Sequence, residues 1–349
     1  MSVLRLLPLS VTGIVIVMTL SAVPSARQRP TPREPTKKAT STWTLPRTPV
    51  GQPDLQGVWV SNSATPLERP KALEGRQFLT DEEVAELKKR ADRIFKDGGS
   101  AYAAGDAVFL SALNDVNRYN GNSTENSVEM IEREFENRTS LIADPADGRI
   151  PSLTSEAQQR RAAAAAQRPA AGPEDLRNDQ RCITWGVPRL GGNYGAGPYS
   201  YYQIVQAREY VVFFMEVIHD ARIIPLDGRP HLPQSVHQWN GDSRGRWEGN
   251  TLVVETTNFS PKSNFMGAAD NLRLVERFTR VASDRINYEI TLNDPTTWTR
   301  PWTAMLPLKL MQEQIYEFAC HEGNYSMTGT LSGARAEERA IDAAKAKPK

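Results

Sequence analysis

The chain has 349 residues, with 42 Lys and Arg against 41 Asp and Glu, and a formal charge of +1. That balance leaves no electrostatic footprint for nucleic acid or for an acidic membrane surface. Roughly 300 residues behind a leader would make one large domain or two ordinary ones, able to bury a sizeable core without many disulfides.

The first 26 residues, MSVLRLLPLSVTGIVIVMTLSAVPSA, place Arg5 before an uncharged apolar run from Leu6 to Val23. Small residues follow at Ser21, Ala22, Ser25 and Ala26. This pattern predicts a secretory signal peptide. The alternative is an uncleaved anchor, because the run approaches the ~18–20 residues that span a bilayer. Pro8, Ser10, Thr12 and Gly13 argue against it, and no cysteine stands nearby to carry a lipid. Residues 27–50, rich in Pro, Thr, Lys and Arg, read as an extended linker. The mature chain is expected to be exported, to the periplasm or the medium, and free of the membrane.

A single β-rich domain is predicted over residues 51–336. Leu55 to Val60 reads as a short strand. A helix follows over about 80–97, where Thr80 and Glu83 form a capping box and Val84, Leu87, Ala91 and Ile94 recur at helical spacing. Residues 100–135 are weakly patterned. Arg138–Pro145 reads as a strand, and an Ala-rich helix is predicted over about 153–168, capped by Thr154 or Ser155.

From Cys182 onward strands and tight turns dominate. YYQIVQ and YVVFFMEVI are apolar on both faces, which suits the centre of a sheet. Gly249-Asn250 marks a hairpin between two strand-like runs. LRLVERFTRV turns at ASD into INYEITL, where apolar and polar residues alternate strictly. TAMLPLKL and QIYEFAC complete the set. The fold class expected is mainly β, an antiparallel barrel or sandwich with peripheral helical insertions. Residues 337–349 read as a charged tail, a frayed helix or disordered.

Cys182 and Cys320 are the only cysteines. In an oxidising compartment they most simply form one disulfide. The alternative is a catalytic thiol at Cys320 beside His321; on a strand, adjacent side chains point to opposite faces, which places His321 poorly to activate it. All four histidines lie in the C-terminal half, and three fall within residues 219–247 together with Asp220, Arg222, Arg246 and Trp247. Gly and Pro break this stretch into turns, the kind of segment on which sites are built.

Three roles are open for these histidines: loop braces, acid/base or ligand contacts, and metal ligands. No spacing typical of a metal site is present, so no metal set is assigned. For acid/base chemistry the candidates are His219, Asp220, Glu317, His321 and Glu322. If the end of the chain's last strand is regular, Glu317, Ala319 and His321 share one face. For ligand contact the candidates are Arg222, His231, His237, Trp239, Arg246, Trp247 and Trp302, because aromatic and arginine surfaces stack on flat ligands and sugars. Trp298, Arg300 and the tyrosines at 194, 199, 201 and 202 add to that surface. No G-x-S-x-G elbow and no phosphate loop is present. No cofactor is indicated.

Beyond these local readings, PVGQPDLQGVW, SLIADPADGRIPSLT, RCITWG, IHDARIIPLDGRPHLP, GDSRGRWEGNTLVVETTNF and YEFACHEGNY resemble blocks of a family of exported bacterial proteins. The likeness runs from Thr48 to about Ala336. It implies export and carries no catalytic residues with it. Gly57-Val58-Trp59 is similar to the G-x-W strand opening of lipocalin-like barrels, which implies an up-and-down barrel.

Three functions follow as expectations. One is a protein binding a small organic or carbohydrate ligand at the open end of the β-structure. Another is an acid/base hydrolase, lyase or isomerase. A third is an envelope interaction protein without a pocket.

Overall fold

The computed structural model describes residues 43–96, 103, 105–119, 132–165, 170–189, 201–263 and 265–345. Residues 1–42, read above as a leader and most of a linker, the Asn/Ser-rich stretch near 120–127, the glycines of 191–197, Tyr194 and Tyr199 lie outside the described residues. Trp43 to Lys349 forms one compact unit.

The protein is mainly antiparallel β, a nearly closed nine-stranded barrel carrying a few helices. Strands β1 (Gly57–Val60), β3 (Tyr201–Gln206), β4 (Tyr210–Met215), β5 (Asp220–Pro225), β6 (Asp242–Glu248), β7 (Thr251–Thr257), β8 (Arg273–Ala282), β9 (Arg285–Asn293) and β10 (Trp302–Met311) pair in the order β5-β4-β3-β1-β10-β9-β8-β7-β6. A short β2 (Ile142–Asp144) adds to β10 from outside this path. From β6 to β10 each strand pairs with the next in sequence: β6–β7 and β8–β9 are joined by two-residue turns, as the hairpin signals predict, and β7–β8 and β9–β10 by the longer loops 258–272 and 294–301. The short β1 slots between β3 and β10, which are far apart in sequence.

The strict alternation of β8, β9 and β10 turns one face of each strand inward. Leu274, Phe278, Ile286, Tyr288, Ile290, Leu292, Ala304, Leu306 and Leu308 are buried there. Aromatic rings fill the middle: Phe278 stacks on Tyr288 with centroids 4.4 Å apart, and Phe213 packs on Phe278 at 4.7 Å. The interior is therefore packed side chain against side chain, as a core is.

One end of the barrel is shut by the G-x-W segment. Trp59 is wholly buried, its indole Nε1 donates to the Leu55 carbonyl at 2.8 Å, and the Arg280 guanidinium lies 5.3 Å from its ring centre. Arg280 also donates to the Asp54 carbonyl at 2.9 Å, which pins the entering chain across that end. The clefts and the disulfide lie at the opposite end.

The two ends of the strand path, β5 and β6, meet without a backbone ladder. Close contact is possible because Gly245 on β6 lacks a Cβ; one added there would stand 2.6 Å from Leu226 and 2.8 Å from Ile224. Arg222 of β5 then reaches across the seam. Its Nε donates to Ser243 on β6 at 2.8 Å, and its Nη2 donates to Thr256 on β7 and to Glu276 on β8, each at 2.5 Å. Both ionic side chains are almost fully buried.

Helix α1 (Asp81–Ile94) carries the expected capping box between Thr80 and Glu83. It packs with α2 (Gly105–Leu113), an apolar helix inside the stretch read as weakly patterned, over a second core that includes Leu87, Ala91, Val108 and Phe109. Helix α3 (Ser155–Ala165) is capped by Thr154, whose hydroxyl accepts from Ala157 N at 3.1 Å. One expectation is overturned near the C-terminus: QIYEFAC pairs with no strand. The charged tail, read as a frayed helix or disordered, belongs as far as Lys345 to a long helix, α4 (Tyr325–Lys345), that begins well before it. The apolar residues of QIYEFAC alternate but meet no free strand edge, and alternation alone does not make a strand without a partner.

Removing one partner of the seam's ion pair leaves a buried charge, so Glu276→Ala is expected to cost about 3–5 kcal/mol. Arg222→Met combined with Glu276→Leu should recover part of that loss. Urea unfolding measures both; a Glu276→Ala cost below about 1 kcal/mol would show that the pair does not hold the seam.

Candidate functional site

At the open end, the loops 173–187, Trp239 and 259–272 enclose a cleft of about 930 Å³. Buried Val187, Phe259 and Leu272 belong to its apolar lining, and half-buried Trp185, Trp239, Phe265 and Met266 add to it. Arg177, Arg181 and Lys262 bring positive charge, Glu174, Asp175 and Asp179 negative charge. A second cleft of about 950 Å³ lies between α3 and the same 261–271 loop, and shares Lys262, Ser263, Met266 and Ala269 with the first.

The loops around the first cleft have little regular structure and are held by specific bonds. The Cys182–Cys320 disulfide, with Cα atoms 5.8 Å apart, ties the first loop to the segment that leads into α4. From the same segment Asn324 donates to the Gln180 carbonyl at 2.9 Å. Arg335 of α4 donates to the Ala171 carbonyl at 2.9 Å. Across the cleft, Asn178 donates to the Lys262 carbonyl at 3.2 Å and Ser263 Oγ to the Trp239 carbonyl at 2.7 Å.

The cleft connects with the barrel interior through polar groups. Thr184, which lines the cleft, donates from its hydroxyl to Asp220 at 2.5 Å, at the first residue of β5. Asp220 also faces the buried Arg189 guanidinium at 3.6 Å. Two residues along β5 is Arg222, with Glu276 and then Tyr288, whose hydroxyl donates to Glu276. Tyr202 donates to the Arg189 carbonyl at 3.0 Å. Burial pushes both phenols above the ordinary range, and the negative Glu276 adds to the effect on Tyr288.

Several predicted site residues are placed elsewhere. The histidines do not converge, and none lines either cleft. His231 Nδ1 is 2.9 Å from the buried Asp242 carboxylate, which also accepts from Leu232 N and from Arg244. His237 Nδ1 donates to the Phe259 carbonyl at 2.9 Å. That bond fixes the His237 tautomer, since a carbonyl only accepts. Both rings brace loops. His219, in the left-handed region at φ 56 beside Ile218 at φ 66, has Nε2 3.6 Å from Glu317, beyond hydrogen-bond range. Asp220 pairs with Thr184 and Arg189 instead of with a histidine. His321 and Glu322 are exposed in the turn after the disulfide. Because no strand forms there, Glu317, Ala319 and His321 share no sheet face.

The ligand candidates divide in the same way. Trp239 lines the first cleft. Trp302 is wholly buried against Trp298, 5.5 Å between ring centres, and is core rather than a binding surface. Trp247 is half-buried against the core. Arg222 is the seam arginine. Arg246 lies on the outer face between Glu248 and Glu255, in a lattice with Arg273 and Arg277. Among the described residues no three His, Cys, Asp or Glu side chains gather as metal ligands would.

Sequence reasoning missed Arg181, Thr184, Trp185, Lys262, Phe265 and Met266. The RCITWG block carried three of them, without a signal of their role. They come from loops about 80 residues apart, so only the fold brings them together.

Among the described residues no helix is long and apolar enough to cross a membrane, and the disulfide is compatible with an exported protein. No family model, curated protein or solved structure matches this chain.

Two measurements follow. The disulfide closes a loop of 138 residues, and the double change Cys182→Ser with Cys320→Ser is expected to cost up to about 5 kcal/mol in the chain-entropy account; two reactive thiols in the purified native protein would refute the bond. Tyr202 keeps its proton in the native state past about pH 10, where the unfolded chain loses it. Stability is thus intact below about pH 10 and falls as pH rises through that value; the urea midpoint of Tyr202→Phe should fall less steeply there, and parallel slopes would remove Tyr202 from the effect.

Proposed function

We propose that this is an exported protein that binds a small organic ligand in the first cleft, at the open end of its barrel. The observation that carries this reading is the cleft itself: a concave site of ligand-accepting size, with Trp185, Trp239, Phe265 and Met266 part-exposed around an apolar floor and a few charged groups beside them. Aromatic side chains left half-exposed in a concavity give up water readily to a flat ligand. The disulfide and the backbone bonds at Gln180, Lys262 and Trp239 hold the walls in place, so little ordering accompanies binding. Export is supported by the leader-like N-terminus, by the disulfide, and by the resemblance of the sequence blocks to exported bacterial proteins.

The enzymatic alternative would rest on the pairs His231–Asp242 and His219–Glu317. Neither pair lines either of the two clefts described above, and geometry is the first requirement of a general base. Binding is the better-supported reading.

A screen of aromatic and carbohydrate compounds by thermal shift tests it. Ligand present at about 100 times its Kd should stabilise the protein by about 2.7 kcal/mol. Trp239→Ala should weaken any hit at least tenfold, on the scale of a lost aromatic anchor, while Arg246→Gln, on the outer face of β6, should leave it unchanged. Hits indifferent to Trp239→Ala would place binding elsewhere.

A further inference from the structure

We infer that the ligand of the first cleft is a planar aromatic anion, its ring on the tryptophan-lined wall and its carboxylate or sulfonate on Arg181. This rests on the cleft being the binding site, and adds the chemical class.

The charges lining the cleft are not equally available. Arg177 is paired with Asp179 through Nε and Nη2. Asp175 accepts the backbone N–H groups of Ala171 and Gly172, at 2.8 and 3.2 Å. Lys262 and Glu174 are exposed, so water screens them. Arg181 differs from all of these. It is half-buried, it lines the cleft, and among the described residues no hydrogen bond or ion pair engages its side chain. A guanidinium carries five donors, and leaving them partly dehydrated without an acceptor is unfavourable. An anionic ligand supplies the missing acceptor, and the planar fork matches a carboxylate or sulfonate with two parallel bonds. Lys262 adds a second positive charge.

The backbone holds Arg181 ready for this. Arg181 N bonds the Arg177 carbonyl at 3.2 Å, Cys182 N the Asp179 carbonyl at 3.1 Å, and Ile183 N the Asn178 carbonyl at 2.9 Å. The next residue is the half-cystine Cys182, anchored to Cys320. Arg181 therefore sits on a wound turn fastened from behind, which fixes the backbone that carries its cleft-lining guanidinium.

Two probes separate the parts of the claim. 8-Anilinonaphthalene-1-sulfonate carries the anion, and N-phenyl-1-naphthylamine is the same ring system without it. Fluorescence titration of the native, disulfide-intact protein should give one saturable site, with the sulfonate bound at least tenfold more tightly. Arg181→Gln should erase that preference by weakening the sulfonate alone, and Arg181→Lys should restore part of it. Lys262→Gln, on an exposed side chain, should produce a smaller loss of the same sign. Equal affinity for the two probes in the native protein, or sulfonate binding untouched by Arg181→Gln, overturns the anion assignment while the cleft survives. If neither probe binds, or Trp239→Ala alters neither, the cleft reading itself fails and this inference with it.

Discussion

The barrel is closed by a side chain rather than by a ladder. Arg222 extends from β5 to Ser243, Thr256 and Glu276 on three successive strands, and Tyr288 completes the coordination of Glu276 from a fourth. Gly245 lets the two edges come close enough for that reach. A charge pair in such a place is tolerable only because each group has its partners. Where most barrels close with backbone bonds, this one concentrates the closure in a buried polar network.

This closure decides where a ligand can go. The inward faces of the strands are packed with Tyr288, Phe278, Phe213 and aliphatic side chains, and Trp59 under Arg280 shuts one end. What remains is the loop system at the other end, where the connections of β4–β5, β6, β7–β8 and the 173–187 segment meet. Those loops are short of regular structure, so their shape depends on single bonds: a disulfide, Asn178 and Asn324 on backbone carbonyls, and Thr184 on Asp220. Asp220 joins both systems, since it begins the strand that carries Arg222 and accepts from the wall of the cleft. Site and scaffold are thus adjacent along one strand.

The histidine-rich stretch illustrates how composition can mislead about a site. Three imidazoles close in sequence suggest convergence, yet His231 and His237 turn to Asp242 and to the Phe259 carbonyl and stabilise the loop that carries them. Asn258 supports the same loop, with its amide donating to the Pro233 and Val236 carbonyls at 2.9 and 3.0 Å. The contribution of this stretch to the cleft is Trp239, held above it by that bracing. The outward-facing Arg246 has a similarly structural place, in an ionic lattice across β6, β7 and β8.

Period-two alternation in residues 273–311, the Gly249-Asn250 turn and the Thr80–Glu83 capping box are local patterns, and the corresponding strands, hairpin and helix are present. The antiparallel β class was legible for the same reason: side-chain periodicity reports which face is buried without reference to distant residues. The pairing of two cysteines was legible because only one pairing exists. Helix α2 was not, since it is apolar nearly all round and displays no stripe on which such a reading depends; of α4, amphipathic only weakly, just the charged last part was read, as a frayed helix or disordered. QIYEFAC shows the converse case, a strand-like pattern with no edge to join. The seam at Arg222 and Gly245, and the meeting of Arg181, Trp185, Trp239, Lys262 and Phe265, were decided by tertiary structure alone. Each joins residues that are remote along the chain, and no local property of the amino acids encodes a distance that arises only when the sheet curls back on itself.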